Sequence, residues 1–198
     1  MKTPINRRDF LKTSSSALAL AALSPNLLPG APAGRREIKK AIMYGTLGIK
    51  GSVLEKFKAI KAAGFEGVEP TGDMNQDEVV KALEESGLKA ASVCCHSHWG
   101  KPLSDRNPAV REEGLAGLVQ TLRAAKRYGA SSVLLVPGVV KDGVTYDDCW
   151  KRSIVEIRKA IPVAEETGVK IAIENVWNNF ITKPEQAAAY LDEIDSPH

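Results

Sequence analysis

Glu69, His96, His98 and Glu174 are the side chains of this 198-residue chain best placed by sequence to do chemistry. Each falls at or just past the end of a short apolar run, and in a parallel α/β sheet such ends share one rim, where ligands bind. The most informative stretch is Gly168-Val169-Lys170-Ile171-Ala172-Ile173-Glu174-Asn175. A helix-ending glycine leads into a short apolar strand that delivers a carboxylate and an amide at its C-terminal tip. Strand alternation puts Ala172 and Glu174 on one face and Ile171 and Ile173 on the other. With the isoleucines turned toward covering helices, Glu174 points at the interior axis. A carboxylate there carries a large desolvation cost unless it is paired or bound to metal. On the residues alone, a ligand or acid/base role and a salt bridge within the rim both stay open.

His96-Ser97-His98 places two imidazoles on one face of an extended segment, a spacing that suits metal sites and also occurs by chance. Trp99 and Trp177 follow strand ends directly; such an indole either stacks on the apolar face of a sugar or packs as a plain rim aromatic. Gly45 to Gly51 reads GxxGxxG rather than the GxGxxG of a dinucleotide loop, so a flexible rim loop is expected there. No GxSxG elbow and no GxxxxGK loop occurs, which leaves nucleophilic hydrolase and NTPase readings without support.

One unit recurs around these residues: amphipathic helix, glycine, short apolar strand, polar loop. Gly64, Gly87, Gly129 and Gly168 each stand just past a helical stretch, as left-handed C-caps do. The expected strands are 40–44, 65–69, 88–95, 131–136 and 169–174. Ser52 with Glu55, Thr145 with Asp148, and Thr182 with Glu185 fit capping boxes; Asn107-Pro108 supplies a cap and a first-turn proline. Leu54, Phe57 and Ile60, then Leu115, Leu118, Leu122 and Ala125, recur at helical spacing. Pro162 is expected to kink the fourth helix or start a new turn. Five strands, each followed by a helix, imply a parallel sheet covered by helices, either open and doubly wound or part of an eight-stranded barrel.

The N-terminus reads as an address. Arg7-Arg8-Asp9-Phe10-Leu11-Lys12, an apolar run from Ala17 to Leu23 and Ala31-Pro32-Ala33 form a twin-arginine signal with a small-residue cleavage site over residues 1–33. A periplasmic protein exported by that route is expected, with no stable membrane span because the run is too short. The 27 basic and 24 acidic residues become 23 and 23 once Lys2, Arg7, Arg8, Lys12 and Asp9 are removed with the signal. The formally neutral remainder lacks the clustered positive charge of a nucleic-acid binder, so no nucleic-acid partner is expected. The remaining 34–198 segment suffices for one domain with a core. Adjacent Cys94 and Cys95 and distant Cys149 read as small buried apolar residues, although an oxidising compartment leaves a Cys149 bridge open.

The stretches KAAGFEGVEP, LKAASVCCHSHWG, YGASSVLLVPG and, above all, ETGVKIAIENVWNNF with KPEQAAAYLDEIDSP resemble the sugar phosphate isomerase/epimerase family. The likeness runs from about residue 38 to the end, and IAIEN-W-N is its specific part. It implies a xylose isomerase-like (β/α)8 TIM barrel, here a partial one of about five β/α units ending before strands six to eight. It also implies a divalent metal (Mn, Mg, Co or Zn), with Glu174 as a metal ligand and proton-transfer group. The resemblance makes Glu69 and one of His96 or His98 substrate contacts, to which the stacking reading adds Trp177, and the substrate a small sugar whose proton moves at a carbon next to a carbonyl. The family's other ligands, an Asp, a His and a Glu from later strands, would follow His198. Glu174 by itself does not complete a site that normally takes three or more protein ligands, so these residues alone are expected to be inactive and, with unpaired strand edges, poorly soluble. A homo-oligomeric state stays open. So do two other functions: a non-catalytic carbohydrate-binding or vestigial domain, and an endonuclease-IV-like phosphodiesterase, against which the neutral charge and the signal argue.

Overall fold

The computed structural model describes residues 38–141 and 143–198; the twin-arginine segment read at residues 1–33 lies outside the described residues. The chain runs β1 (Ala41–Met43), a 3-10 turn (Tyr44–Thr46), α1 (Val53–Ala62), β2 (Gly67–Glu69), α2 (Gln76–Ser86), β3 (Lys89–Ala90), β4 (Val93–Cys94), α3 (Pro108–Tyr128), β5 (Ser132–Leu135), α4 (Tyr146–Thr167), β6 (Lys170–Ile173) and α5 (Pro184–Ile194). Every strand pairing is parallel, in the orders β1-β2-β3 and β4-β5-β6. A parallel bridge between Thr71 and Cys94 joins the two halves. The architecture is five strand–helix units of a TIM barrel laid side by side.

The expected strand 88–95 is two short strands, and the reason lies in its neighbours. Lys89 and Ala90 pair with β2, while Val93 and Cys94 pair with β5. Between them Ser92 turns its hydroxyl to Glu69 at 2.7 Å instead of extending the ladder.

Local signals place the helices. Ser52 and Glu55 make a full reciprocal capping box, and Asn107 caps α3 ahead of Pro108. At α4 Thr145 accepts from Asp148 N but Asp148 returns its bond to the threonine hydroxyl, so the box is half formed. The box expected from Thr182 and Glu185 is displaced: Pro184 takes the first helical position, and Gln186 Oε1 accepts from the backbone N–H groups of Thr182 and Lys183. Pro162 neither ends nor restarts its helix; α4 runs unbroken from Tyr146 to Thr167. Buried packing on both sides of the proline, from Ile157 and Ala160 to Ala164, outweighs the one backbone bond that proline removes. Gly87, Gly129 and Gly168 cap their helices at φ of 69°, 72° and 67°, the left-handed region that costs glycine least.

The core lies between sheet and helices. Val68, Val133 and Leu135 point outward from the strands and are fully buried against Phe57, Val79, Leu118, Leu122 and Ile157; each such side chain contributes roughly 1.5–3 kcal/mol of burial. The alternate strand positions, including Met43, Glu69, Cys94, Ala172 and Glu174, form the inner face that the site uses.

Candidate functional site at the strand ends

A cavity of about 460 Å³ opens at the C-terminal ends of the strands. Its walls include Met43 and Thr46 after β1, Thr71 and Asp73 after β2, Cys94, His96, His98 and Trp99 around β4, and Glu174 and Trp177 after β6. Gly45 lines it too, so the start of the glycine-rich segment, a 3-10 turn at Tyr44–Thr46, lies on the rim.

Glu174 extends the ladder one residue beyond β6 by donating its N–H to Leu135 O at 2.9 Å. That bond fixes the strand tip and turns the side chain inward, with Ile171 and Ile173 on the helix side. Among the described residues no cation pairs with the carboxylate. Burial raises its pKa above the ordinary value, and the nearby Glu69 raises it further. Glu69 stands on the same inner face but below the cavity wall, its carboxylate occupied by Ser92.

The two histidines do not share an extended face. Residues 96–100 form a turn, because Ser97 packs directly on α3, where Gly114 and Gly117 leave room. A Cβ at Gly117 would stand 2.3 Å from Ser97 Oγ, and one at Gly114 2.2 Å from Lys101 O. Gly72 meets the same helix surface one turn on, at Thr121. The glycines of α3 are the signal that sequence reading passed over: small residues at helical spacing where two loops must approach the backbone. His98 is 5% exposed and its Nδ1 accepts the N–H of Val136 at 3.2 Å. Burial, with His96 adding to it, pushes the imidazole down to about 4. His96 lines the same cavity with its Nδ1 buried and unpartnered among the described residues.

Trp177 is 84% exposed and stacks on Trp99, ring centroids 6.0 Å apart and planes within 9°. The loop carrying it is anchored by residues that sequence reading left unassigned. Asn178, fully buried, donates its side-chain Nδ2 to Gly138 O at 2.8 Å, and its backbone carbonyl accepts from Val140 N–H at 3.0 Å. Phe180 plugs an aromatic cluster of Tyr146, Trp150 and Tyr190. The rim tryptophan therefore stands on a fixed base.

The cysteines are all buried free thiols, as read. Cys94 faces the cavity, yet burial and the surrounding acidic groups push it up to about 11, so it stays protonated and inert. The described residues do not fit a complete metal centre: no group of three or more His, Cys, Asp or Glu donors lies together. They offer the unpartnered carboxylate of Glu174 as a single donor.

A family model described as xylose isomerase-like TIM barrel matches residues 57–198, well over half of the chain. The chain belongs to that family. Among curated relatives, the xylose isomerase-like chain is 22% identical to the L-ribulose-5-phosphate 3-epimerase UlaE of Escherichia coli over 157 residues, covering 73% of this chain and 55% of the relative. It therefore spans little more than half the length of the curated relatives it matches. Among solved structures it superposes on the 3-keto-D-glucoside 4-epimerase YcjR from E. coli with a TM-score of 0.69, at 24% identity over 80% of this chain and 65% of that one. A D-psicose 3-epimerase solved in the presence of D-fructose gives a TM-score of 0.66, at 17% identity over 81% of this chain and 61% of that one. Structures of the same fold include one with bound zinc (TM-score 0.61) and one from Mycobacterium smegmatis in complex with magnesium (TM-score 0.58). No described helix is long and apolar enough to cross a membrane.

Proposed function

We propose that the protein is an exported sugar isomerase or epimerase that moves a proton at the carbon next to a sugar carbonyl, with Glu174 as the proton-transfer group. The observation that carries this reading is the carboxylate itself: inward, without a paired cation among the described residues, and raised in pKa by burial beside Glu69. A carboxylate tuned upward holds a proton more readily than a solvated one, which is what a base must do when it takes a proton from carbon near neutral pH. The similarity to epimerases of ribulose phosphate and psicose supports the sugar class.

Trp177 and Trp99 wall the mouth with flat apolar surface, suited to the C–H face of a sugar ring. His98 and His96 supply polar contact in the same cavity, and Glu69 acts through its charge on Glu174 and its bond to Ser92. A divalent ion, which the family implies, takes Glu174 as one oxygen donor in this reading; bound, it would polarise the sugar's oxygens. The described residues bring no group of three or more donors together to complete its site.

The test is isotope exchange. D-fructose incubated in deuterium oxide with the whole protein and added Mn²⁺ should gain deuterium at the carbon next to its carbonyl, and Glu174→Gln should abolish the gain. Exchange that survives in the Gln variant removes Glu174 from the reaction. Absence of exchange with a panel of ketoses and their phosphates removes the isomerase reading and leaves a binding module.

A further inference from the structure

We propose that His98 is a neutral imidazole with a fixed tautomer, its Nε2–H donating a hydrogen bond to a substrate oxygen while its Nδ1 belongs to the wall of the site. The argument begins at Val136 rather than at the ring. Val136 is 1% exposed and sits just past the end of β5, where strand pairing no longer supplies an acceptor. A buried backbone N–H must be satisfied, and His98 Nδ1 satisfies it at 3.2 Å. To accept that bond Nδ1 carries no proton, so the single proton of a neutral ring is on Nε2. Turning the ring over would set a carbon against the N–H and orphan it, at the full desolvation cost of the group. A doubly protonated ring would do the same, having two donors and no acceptor.

Trp99 holds the plane of the ring, edge against face at 5.6 Å and 87°. Nε2 has no partner among the described residues and is not one of the buried unpartnered atoms, so it keeps some exposure, and His98 is one of the residues lining the cavity. Asp73, Cys94, Cys95, His96 and Glu174 are the other titratable groups that share this cavity. The two carboxylates are acceptors, Thr71 has already given its hydroxyl to Asp73, and the His96 tautomer is not set by any bond to Nδ1. His98 thus presents a committed neutral N–H to whatever binds there. Its complement is an oxygen with a free lone pair, a sugar carbonyl or hydroxyl. It cannot ligate a cation through Nε2 without surrendering the Val136 bond. The identity of that oxygen as a ketose oxygen rests on the proposed function above; the tautomer does not.

Two measurements on the whole protein separate these levels. With ¹⁵N-labelled histidine, long-range proton–nitrogen spectra at neutral pH should show His98 bare at Nδ1 and protonated at Nε2, the signal being assigned by its loss in His98→Asn. The opposite tautomer, or an imidazolium, overturns the proposal. The second measurement compares two amides. Asn sets a carbonyl near the Nδ1 position and keeps the Val136 bond, whereas Gln sets an N–H near the Nε2 position. With D-fructose as the probe, His98→Asn should lose about 10- to 100-fold in kcat/KM, and His98→Gln several-fold less. Equal losses in both variants overturn the donor role. If the unmodified protein exchanges no proton with any ketose, the proposed function fails, and the nitrogen spectrum still decides His98.

Discussion

Glu69 and Glu174 look alike in the sequence, each an acid ending a short apolar strand after a helix-capping glycine. In the fold they differ. Glu69 accepts the Ser92 hydroxyl at 2.7 Å, because strand three breaks where it passes β2 and turns that serine inward. Among the described residues Glu174 accepts no such bond: β6 has β5 on one side, and the carboxylate lines a cavity it shares with Cys94, His96, His98 and Trp177. A strand-end position therefore makes a carboxylate inward-facing, and the neighbouring strand decides whether it is also chemically free.

The largest effect that would test this contrast is catalytic. Glu174→Gln should lower ketose proton exchange by about 10²- to 10⁴-fold, the usual range for a removed general base, while Glu69→Gln, whose amide oxygen can still accept from Ser92, should stay within about tenfold. Parallel losses in the two variants would erase the distinction. Next is stability: Ser92→Ala leaves Glu69 inward and unpartnered and should cost about 1.5–3 kcal/mol in denaturant unfolding, the range for a hydrogen bond to a charged group. A neutral result would mean that water replaces the serine freely.

A smaller effect is expected at the mouth. Trp177→Ala should raise KM for ketoses with little change in kcat, and remove about 0.5–1.5 kcal/mol of indole stacking from stability. A loss confined to kcat would move Trp177 from binding to chemistry. The smallest concerns Glu174 and pH. Its folded pKa lies above its ordinary value, so the ionised form is disfavoured on folding; the stability present below the ordinary carboxylate pKa is lost as pH rises through the folded one. Glu174→Gln should match the parent in acid and exceed it at pH 7 by less than about 1 kcal/mol, the carboxylate being partly solvated. A variant less stable at neutral pH would show that Glu174 has a partner after all.

Much of the frame was legible because its signals are local. Ser52 with Glu55, Asn107 with Pro108 and the C-capping glycines act over three or four residues, within reach of a sequence pattern. The inward aim of Glu174 was legible for a related reason: Ile171 and Ile173 had to face the helices, and a period of two left one direction for the acid. The errors fall where a distant element intervenes. Strand three looked continuous through Ala91 and Ser92 until its two partners claimed different halves. His96 and His98 looked as if they shared one face of an extended segment until Ser97 was drawn onto Gly117 of α3. Pro162 was read as a kink or the start of a new turn, and the helix continues through it between buried neighbours on both sides.

From residues alone follow the alternation of strand and helix, the parallel sheet, the rim on which the acids and histidines gather and the face that Glu174 takes, since short-range sterics and the partition of apolar side chains govern all of these. Which carboxylate is left without a donor, which imidazole nitrogen keeps its proton and how the two indoles come to stack were decided only by the packed fold. Each depends on a hydrogen bond or contact between residues 23 or more positions apart, such as Ser92 with Glu69 and Val136 with His98, and no periodicity along the chain encodes a meeting at that distance.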